Sequence, residues 1–379
     1  MRDLVWIFLI FMLFVGCTTT PSDTPSSKPI NHSASSKPNQ PSTSTPPAGN
    51  NTQPPQLPDD SNISNNQSTG SVAVEGVRYV SSASCIDKFG KANCITLVIT
   101  CEGLAERQVI LKKRTPSDSV NRTAILTTGG DGTAFYTAKE PGTVSALLQN
   151  NFEVYEVGWQ GDNGWATGTN GAGFKKDMCA FAKVAEWIDS NRVDSSGTLC
   201  AHGNSGGSFQ IAYGLSVYGL EDILDMVVLT GGPPITRLDV GCFGSDDPEL
   251  QSAELSDASP LGLIDSVMGW PRYCANRSPT TEAIKEAQDT SIVSSTESRD
   301  YDYPNTKVNF VESAGDTQNA DDQAQIYYDA VTSAKSWYYI SAATHGVFED
   351  PEGSAKIQEL FLSECKKWND SSPKNNSDS

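Results

Sequence analysis

The feature that most limits what this chain can fold into is a long polar tract near its amino terminus. From Thr18 to about Val72 the chain consists mainly of Ser, Thr, Pro, Asn and Gln, with almost no large apolar side chains. Such a segment cannot bury enough apolar surface to offset the conformational entropy that folding removes. We therefore predict a disordered tether over residues 18–72, a folded domain over residues 73–370 and a disordered tail over residues 371–379.

An apolar segment precedes the polar tract. An uninterrupted apolar run extends from Leu4 to Val15 and follows Arg2. A membrane-spanning helix needs about 20 apolar residues, whereas a shorter run after a basic residue is typical of a signal peptide. The segment from Leu13 to Cys17 resembles the lipobox of prokaryotic lipoproteins, in which a small residue precedes a cysteine. The resemblance implies a signal peptide over residues 1–17 and lipidation of Cys17.

These two segments together predict where the protein is located. A polar spacer after a lipid-modified cysteine would hold a folded domain away from a membrane. We therefore expect an exported protein at the cell surface or in the periplasm, anchored to the membrane through the lipid on Cys17. If Cys17 is not lipidated, the same signal predicts a secreted protein.

The chain is strongly acidic. It has 27 basic and 46 acidic side chains and a formal net charge of −19. Nucleic acids and anionic lipid surfaces are repelled by a protein with this charge. We therefore exclude nucleic acid as a partner, expect membrane attachment through the lipid anchor only, and favour neutral substrates.

The cysteines predict disulfide bonds rather than a metal site. The chain contains no C-x-x-C pair and only three histidines, so no zinc pattern is present and we predict no metal ion. An even number of cysteines other than Cys17 fits an oxidising compartment. A bond between Cys242 and Cys274 would close a loop inside one insertion. For Cys179 and Cys200 the sequence allows either a disulfide bond or a buried, unpaired thiol. The remaining candidates are Cys85, Cys94, Cys101 and Cys365.

From Val77 onward, short apolar runs alternate with longer stretches at helical spacing. This alternation is typical of α/β proteins with a mostly parallel central sheet flanked by helices, in which functional residues gather at the carboxyl ends of the strands. The predicted strands are 77–80, 95–101, 109–112, 123–126, 152–157, 198–201, 226–229, 307–311 and 337–340. The predicted helices are 144–149, 174–190, 208–218, 320–333 and 354–368.

One predicted strand-to-helix junction contains a serine between glycines. The segment from Cys200 to Gly207 includes the pattern G-x-S-x-G around Ser205. This pattern is typical of a nucleophile elbow, a strained turn that exposes the serine hydroxyl at the amino end of a helix. A glycine- and serine-rich chain also produces the pattern by chance, so the strand and helix context carries the prediction. We predict Ser205 as a nucleophile and the Gly206 N–H as an oxyanion donor.

A serine nucleophile needs a base, and histidine is the usual one because its pKa lies near neutral pH. His32 lies in the predicted tether, and His202 lies on the strand that leads into the elbow, too close in sequence to reach the serine hydroxyl. His345 follows the last predicted strand, on a loop where a site residue is expected. We therefore predict His345 as the base.

A carboxylate must orient the imidazole, and Asp316 follows the penultimate predicted strand. Its competitors are Glu312, Asp321 and Asp322. We expect Glu312 to lie within the strand, and the other two to lie in the first turn of the next helix, where acidic residues favour the helix dipole. Asp316 is therefore the predicted acid.

The order of nucleophile, acid and histidine resembles that of the α/β-hydrolase superfamily, over about residues 77–368. The resemblance implies the α/β-hydrolase fold, a serine esterase or lipase-like activity through an acyl-enzyme, and no cofactor. A peptidase or amidase on the same fold, or a non-catalytic surface binding protein, remains an alternative. Gly203 to Gly207 also resembles the G-D-S-G-G segment of trypsin-like proteases, but Asn204 replaces the aspartate and the histidine follows the serine.

The superfamily resemblance also implies a second oxyanion donor after an earlier strand. Thr127 to Gly132 resembles the family's His-Gly-x loop, with Thr128 in place of the histidine. We expect the backbone N–H of Gly130 or Asp131 to be this donor. A simple tight turn is the alternative.

The substrate is expected to be a small or polymeric ester. About 75 residues over 231–305 separate two predicted strands, which is longer than usual, so we expect a lid-like insertion there. Aromatic residues in it and after other strands would line an apolar cleft for an apolar or aromatic acyl group. The candidates are Phe135, Trp159, Trp165, Trp270 and Tyr273.

Overall fold

The computed structural model describes residues 75–87, 90–166, 171–256, 258–316, 318–341 and 344–367. The predicted signal peptide with Cys17, the whole predicted tether over residues 18–72 and the predicted tail over residues 371–379 lie outside the described residues. Among the described residues, no helix combines the length and the hydropathy that a membrane crossing requires.

The strands form one nine-stranded sheet. They are Gly76–Asp87 (β1), Gly90–Thr100 (β2), Arg107–Arg114 (β3), Arg122–Thr127 (β4), Phe152–Trp159 (β5), Thr198–Asn204 (β6), Met226–Thr230 (β7), Lys307–Ser313 (β8) and Lys335–Ile340 (β9). Their order in the sheet is β1-β2-β3-β5-β4-β6-β7-β8-β9. The first three strands are antiparallel, β3 pairs antiparallel with β5, and every later pair is parallel. The predicted mostly parallel sheet is therefore confirmed.

Helices cover both faces of the sheet. They are Tyr136–Lys139 (α1), Pro141–Gln149 (α2), Phe174–Asp177 (α3), Cys179–Asn191 (α4), Gly206–Tyr218 (α5), Leu238–Phe243 (α6), Ala258–Met268 (α7), Thr281–Thr290 (α8), Ala320–Ala330 (α9) and Pro351–Glu364 (α10). One apolar core contains residues of α4, α5 and α9, and the second contains residues of α2 and α10. This arrangement buries the central strands on both sides, which explains why β5, β6 and β7 consist entirely of buried residues.

All five predicted helices differ from the structure in their bounds. The helix predicted from 174 to 190 is divided at Met178 into α3 and α4. The last helix begins at Pro351 because the Asp350 side chain accepts the N–H groups of Glu352 and Gly353, a standard N-terminal cap. The helix predicted to reach residue 333 ends at Ala330, where Val331 takes an extended conformation.

All eight cysteines of the described chain form disulfide bonds. The pairs are Cys85–Cys94, Cys101–Cys179, Cys200–Cys365 and Cys242–Cys274. The predicted bond between Cys242 and Cys274 is confirmed, and it lies within the segment between β7 and β8. The alternative of buried thiols at Cys179 and Cys200 is wrong. Disulfide bonds of this number are typical of exported proteins.

Candidate active site

Ser205 lies in the sharp turn between β6 and α5. Its φ is 52° and its ψ is −115°, a backbone conformation that residues other than glycine rarely adopt. The Ser205 N–H donates a hydrogen bond to the Thr230 carbonyl at 2.8 Å. Gly203 must be glycine here, because a Cβ at this position would lie 2.3 Å from the Gly207 backbone. The turn therefore holds the Ser205 side chain at the amino end of α5.

The structure brings the three predicted triad side chains into contact. His345 Nε2 lies 2.7 Å from Ser205 Oγ, and His345 Nδ1 lies 2.7 Å from Asp316 Oδ2. The Asp316 side chain is fully buried, and the His345 side chain is 21% exposed. The second carboxylate oxygen of Asp316 accepts the Gln318 N–H at 2.8 Å. One carboxylate oxygen of Asp316 is thus fixed by the backbone, while the other contacts the imidazole.

The competing acidic residues have other partners. Glu312 lies in β8, as the sequence predicts, and its carboxylate accepts the Gly232 N–H at 3.0 and 3.2 Å. Burial raises the pKa of Glu312 well above its usual value, and the nearby carboxylates of Asp316 and Asp321 raise it further. Asp321 lies in the first turn of α9 and accepts a hydrogen bond from the Tyr339 hydroxyl at 3.0 Å.

His202 is part of the support beneath the elbow rather than a partner of the serine. It is fully buried on β6, and its Nε2 lies 3.2 Å from Thr230 Oγ1. Burial lowers the pKa of His202 to about 3, so its imidazole is neutral at neutral pH. The Thr230 hydroxyl lies 2.9 Å from the Asn204 side-chain oxygen, which links β7 to the residue before the nucleophile. His32 lies outside the described residues.

The glycine-rich loop after β4 packs directly against the elbow. The Gly132 N–H donates to the Gly129 carbonyl at 3.3 Å, which closes a turn around Gly130 and Asp131. A Cβ on Gly129 would lie 3.1 Å from the Ser205 Cβ, and a Cβ on Gly206 would lie 2.4 Å from the Gly130 carbonyl oxygen. The predicted donor segment therefore contacts the start of α5, with no room for larger residues between them.

A cavity of about 220 Å³ opens beside the Ser205 side chain. Most of its wall is apolar, and the residues that line it are Gly130, Trp165, Ser205, Gly206, Phe209, Pro234, Ile235, Leu255, Pro260, Leu263 and Gln318. Five of them, from Pro234 to Leu263, belong to the segment between β7 and β8. One side of the cavity is therefore made by the long insertion, and the other by the start of α5 and the loops that follow β4, β5 and β8.

The predicted aromatic lining of the cleft is correct only for Trp165. Within the described part of the chain, Phe135, Trp159, Trp270 and Tyr273 are not among the residues that line the cavity. Trp159 is buried behind the site and donates to Gln210 Oε1 at 2.9 Å, and Trp270 donates to Glu286 at 2.8 Å. Sequence reasoning missed Phe209 and the aliphatic residues of the insertion, because positions on helix faces give no signal for which cavity they border.

No cluster of three or more His, Cys, Asp or Glu side chains among the described residues is arranged to hold a metal ion. Ser205 lines the cavity, and its hydroxyl lies 2.7 Å from the His345 imidazole. A hydroxyl and an imidazole in this contact can transfer a proton.

Comparison with known proteins identifies the fold. No family model matches the chain, and no curated protein matches it in sequence. The chain is similar to the structure of acetyl xylan esterase 1 from Thermoanaerobacterium sp. JW/SL YS485, with 14% identity and a TM-score of 0.50 over 76% of this chain and 87% of that chain. It is also similar to Est1E from Butyrivibrio proteoclasticus, with 12% identity and a TM-score of 0.45 over 70% of this chain and 97% of that one.

The sheet order and the similarity to the acetyl xylan esterase structure define the fold. The chain has the α/β-hydrolase fold, with a mostly parallel central sheet flanked by helices. The predicted fold is thereby confirmed. Because the same fold carries many activities, the function has to be argued from the site.

Proposed function

We propose that the protein is an exported serine hydrolase that cleaves carboxylic esters through a Ser205–His345–Asp316 triad. The observation that carries this proposal is the continuous hydrogen-bonded chain from the Asp316 carboxylate through His345 to the Ser205 hydroxyl, with both contacts at 2.7 Å. Three side chains from distant parts of the sequence meet in the order that serine catalysis requires. A purely structural role gives no reason for a serine at a strained position beside an open cavity.

The proposed reaction has two steps. In the first, His345 Nε2 takes the Ser205 proton while the serine oxygen attacks the ester carbonyl, and the protonated imidazole then gives the proton to the departing alcohol. In the second, His345 Nε2 takes a proton from a water molecule whose oxygen attacks the acyl carbonyl; the bond from the acyl carbon to Ser205 Oγ then breaks, the imidazolium returns the proton to Oγ, and the acid is released. Asp316 accepts the Nδ1–H of His345 in both steps and stabilises the imidazolium that forms.

The negative charge on the carbonyl oxygen needs donors in both steps. The Gly206 N–H lies at the amino end of α5, where the first N–H groups of a helix have no partner within the helix. The N–H of Gly130 or Asp131 would be the second donor, from the loop that contacts Gly206. Donors fixed in this way act without reorganisation when the charge develops.

The acyl part of the substrate would occupy the cavity beside Ser205. Its walls of Phe209, Ile235, Leu255 and Leu263 favour an apolar or aromatic acyl group over a charged one. We propose that the insertion over residues 231–305 is the lid of this cavity. Each methylene buried there contributes about 0.8 kcal/mol, or roughly a fourfold gain in kcat/KM, until the cavity is full.

We further propose that the domain over residues 73–370 is carried to the cell surface or periplasm by the signal peptide and held there through lipidated Cys17 and the tether over residues 18–72. The four disulfide bonds support an oxidising compartment. The net charge of −19 supports attachment through a lipid rather than through a basic surface.

Hydrolysis of p-nitrophenyl esters with acyl chains of graded length tests the proposed activity. We expect the purified protein to hydrolyse them and Ser205→Ala to lower kcat/KM by at least about 10⁴-fold. Ser216→Ala is the matched control, because Ser216 is a buried serine further along α5. Equal activity of wild type and Ser205→Ala would refute the proposal, and turnover of anilides in place of esters would indicate an amidase.

A further inference from the structure

One residue outside the triad donates hydrogen bonds to two carbonyl groups of the loop that contacts the nucleophile turn. The Trp165 indole Nε1–H donates to the Gly130 carbonyl at 2.7 Å. The backbone N–H of the same residue donates to the Asp131 carbonyl at 3.0 Å. Trp165 is also one of the residues that line the cavity beside Ser205. A single tryptophan thus contacts the loop and the space where the substrate would lie.

The loop itself has little intrinsic rigidity. It contains Gly129, Gly130 and Gly132, and the last two have φ values of 64° and 68°. Glycine samples positive and negative φ with similar ease, so the peptide planes of this loop have low barriers to rotation. A rotated plane would direct a carbonyl oxygen, instead of an N–H, toward the negative charge that develops during ester cleavage. The indole hydrogen bond to the Gly130 carbonyl fixes the peptide plane that carries the Asp131 N–H. The backbone hydrogen bond to the Asp131 carbonyl fixes the plane of the Gly132 N–H, and that N–H in turn binds the Gly129 carbonyl, whose plane carries the Gly130 N–H.

Trp165 is itself held firmly. Its carbonyl accepts a hydrogen bond from the buried guanidinium of Arg107, which also forms an ion pair with buried Asp177. Its ring packs against Phe174 and Phe209, with ring centroids 6.3 and 6.0 Å away. These contacts fix Trp165 to β3, α3 and α5, so it can act as a rigid reference for the loop.

The residue before Trp165 allows this close approach. Gly164 has a φ of 52°, and a Cβ on it would lie only 1.9 Å from the Asp131 carbonyl oxygen. The backbone at residues 164–166 therefore lies directly against the loop, and no larger side chain fits between them. Glycines on both segments, Gly164 on one and Gly130 and Gly132 on the other, permit this close backbone contact.

We propose that Trp165 is a positioning residue that locks the Gly130–Asp131 segment with its N–H groups available to the substrate oxygen. This inference rests on the proposed ester hydrolysis at Ser205. Trp165 does not exchange a proton or a bond with the substrate. It keeps the second oxyanion donor in place, and its ring forms part of the wall that receives the acyl group.

Trp165→Phe tests this role because phenylalanine keeps an aromatic wall but removes the indole N–H. With p-nitrophenyl acetate, we expect kcat to fall about 10- to 100-fold, somewhat less than the loss of a complete oxyanion donor, with little change in KM. Trp270→Phe is the matched control, because it removes an indole hydrogen bond of 2.8 Å to Glu286 outside the cavity. We expect kcat of this control to stay within about twofold of wild type.

A second variant separates the hydrogen bond from the shape of the ring. Site-specific replacement of Trp165 by 3-benzothienylalanine exchanges the N–H for sulfur at almost constant volume, so it should fold as the wild type does. We expect the same loss of kcat as in Trp165→Phe. Amide hydrogen exchange of the Gly129–Gly132 segment, followed by mass spectrometry, should be about tenfold faster in this variant than in wild type, because one hydrogen bond of ordinary strength is lost.

The outcomes are distinguishable. An active wild-type protein with Trp165 variants of equal kcat and unchanged loop exchange would overturn the role of Trp165 and leave the proposed function intact. A wild-type protein that hydrolyses no ester would overturn the proposed function, and the catalytic role of Trp165 with it. A large fall in kcat in both Trp165 variants but not in Trp270→Phe would support the proposal.

Discussion

The bond between Cys200 and Cys365 is expected to be a large contributor to the stability of the domain. It joins β6, the strand that carries the nucleophile turn, to the end of α10 across a separation of 165 residues. The bond between Cys85 and Cys94 joins neighbouring strands across a separation of only 9 residues. The two bonds therefore restrict the unfolded chain to very different extents.

The difference in loop length gives a quantitative expectation. In the chain-entropy description, closing a loop of 165 residues is worth about 5 kcal/mol at 25 °C, and closing one of 9 residues about 2.5 kcal/mol. Cys200 is fully buried and Cys365 is 4% exposed, so removing their sulfur atoms also leaves a small cavity. The double variant Cys200→Ala/Cys365→Ala should therefore lose about twice as much free energy of unfolding as Cys85→Ala/Cys94→Ala.

Urea unfolding followed by circular dichroism measures this difference. Both double variants leave no unpaired cysteine from the broken bond, and the other three bonds remain. We expect a lower extrapolated free energy of unfolding for the Cys200/Cys365 variant than for the Cys85/Cys94 variant, together with a larger m-value, because the unfolded chain without the longer crosslink is more expanded. Equal losses in the two variants, or a loss below about 2 kcal/mol for the longer loop, would show that the entropy argument does not describe this protein.

Three other residues give further predictions. Burial lowers the pKa of His202 from its ordinary value of about 6.5 to about 3, so the free energy of unfolding should fall by up to about 1.4 kcal/mol per pH unit below pH 6.5. In urea unfolding at a series of pH values, His202→Gln should lose less stability than wild type as the pH falls. Burial raises the pKa of Glu312, so ionisation of this carboxyl lowers the free energy of unfolding as pH rises above about 4.3. Glu312→Gln should therefore gain stability relative to wild type as pH rises above this value in urea unfolding, and a stability difference independent of pH would contradict this. Asp316→Asn should lower kcat by about 10⁴-fold with the fold unchanged by circular dichroism, and a loss below tenfold would exclude Asp316 as the orienting acid.

The general architecture could be predicted from the sequence because local patterns determine it. Buried parallel strands such as Met226–Thr230 form short apolar runs, and their helices show the longer apolar spacing. The chemistry of the nucleophile turn also has a local signature, since Ser205 lies between glycines that the tight backbone approach requires. The order of Ser205, Asp316 and His345 then limits which residues can meet at the carboxyl edge of the sheet.

Other features depend on contacts between distant parts of the chain, which no local pattern contains. The pairing of Cys200 with Cys365 requires α10 to pack beside β6, and eight cysteines allow many pairings. Trp159 is the last residue of β5 and Trp165 follows six residues later, yet only Trp165 lines the cavity. The division of the predicted helix at Met178 is likewise invisible in the apolar spacing.

An activated Ser205 hydroxyl is the first requirement of the proposed ester hydrolysis. Reaction with a fluorophosphonate, followed by intact-mass and peptide mass spectrometry, tests this directly because only an activated serine in a folded site reacts quickly. We predict one adduct per chain, on Ser205, and its loss in His345→Ala and in heat-unfolded protein. An absence of adduct on the folded wild-type protein, or an adduct on another residue with Ser205 unmodified, would contradict the account.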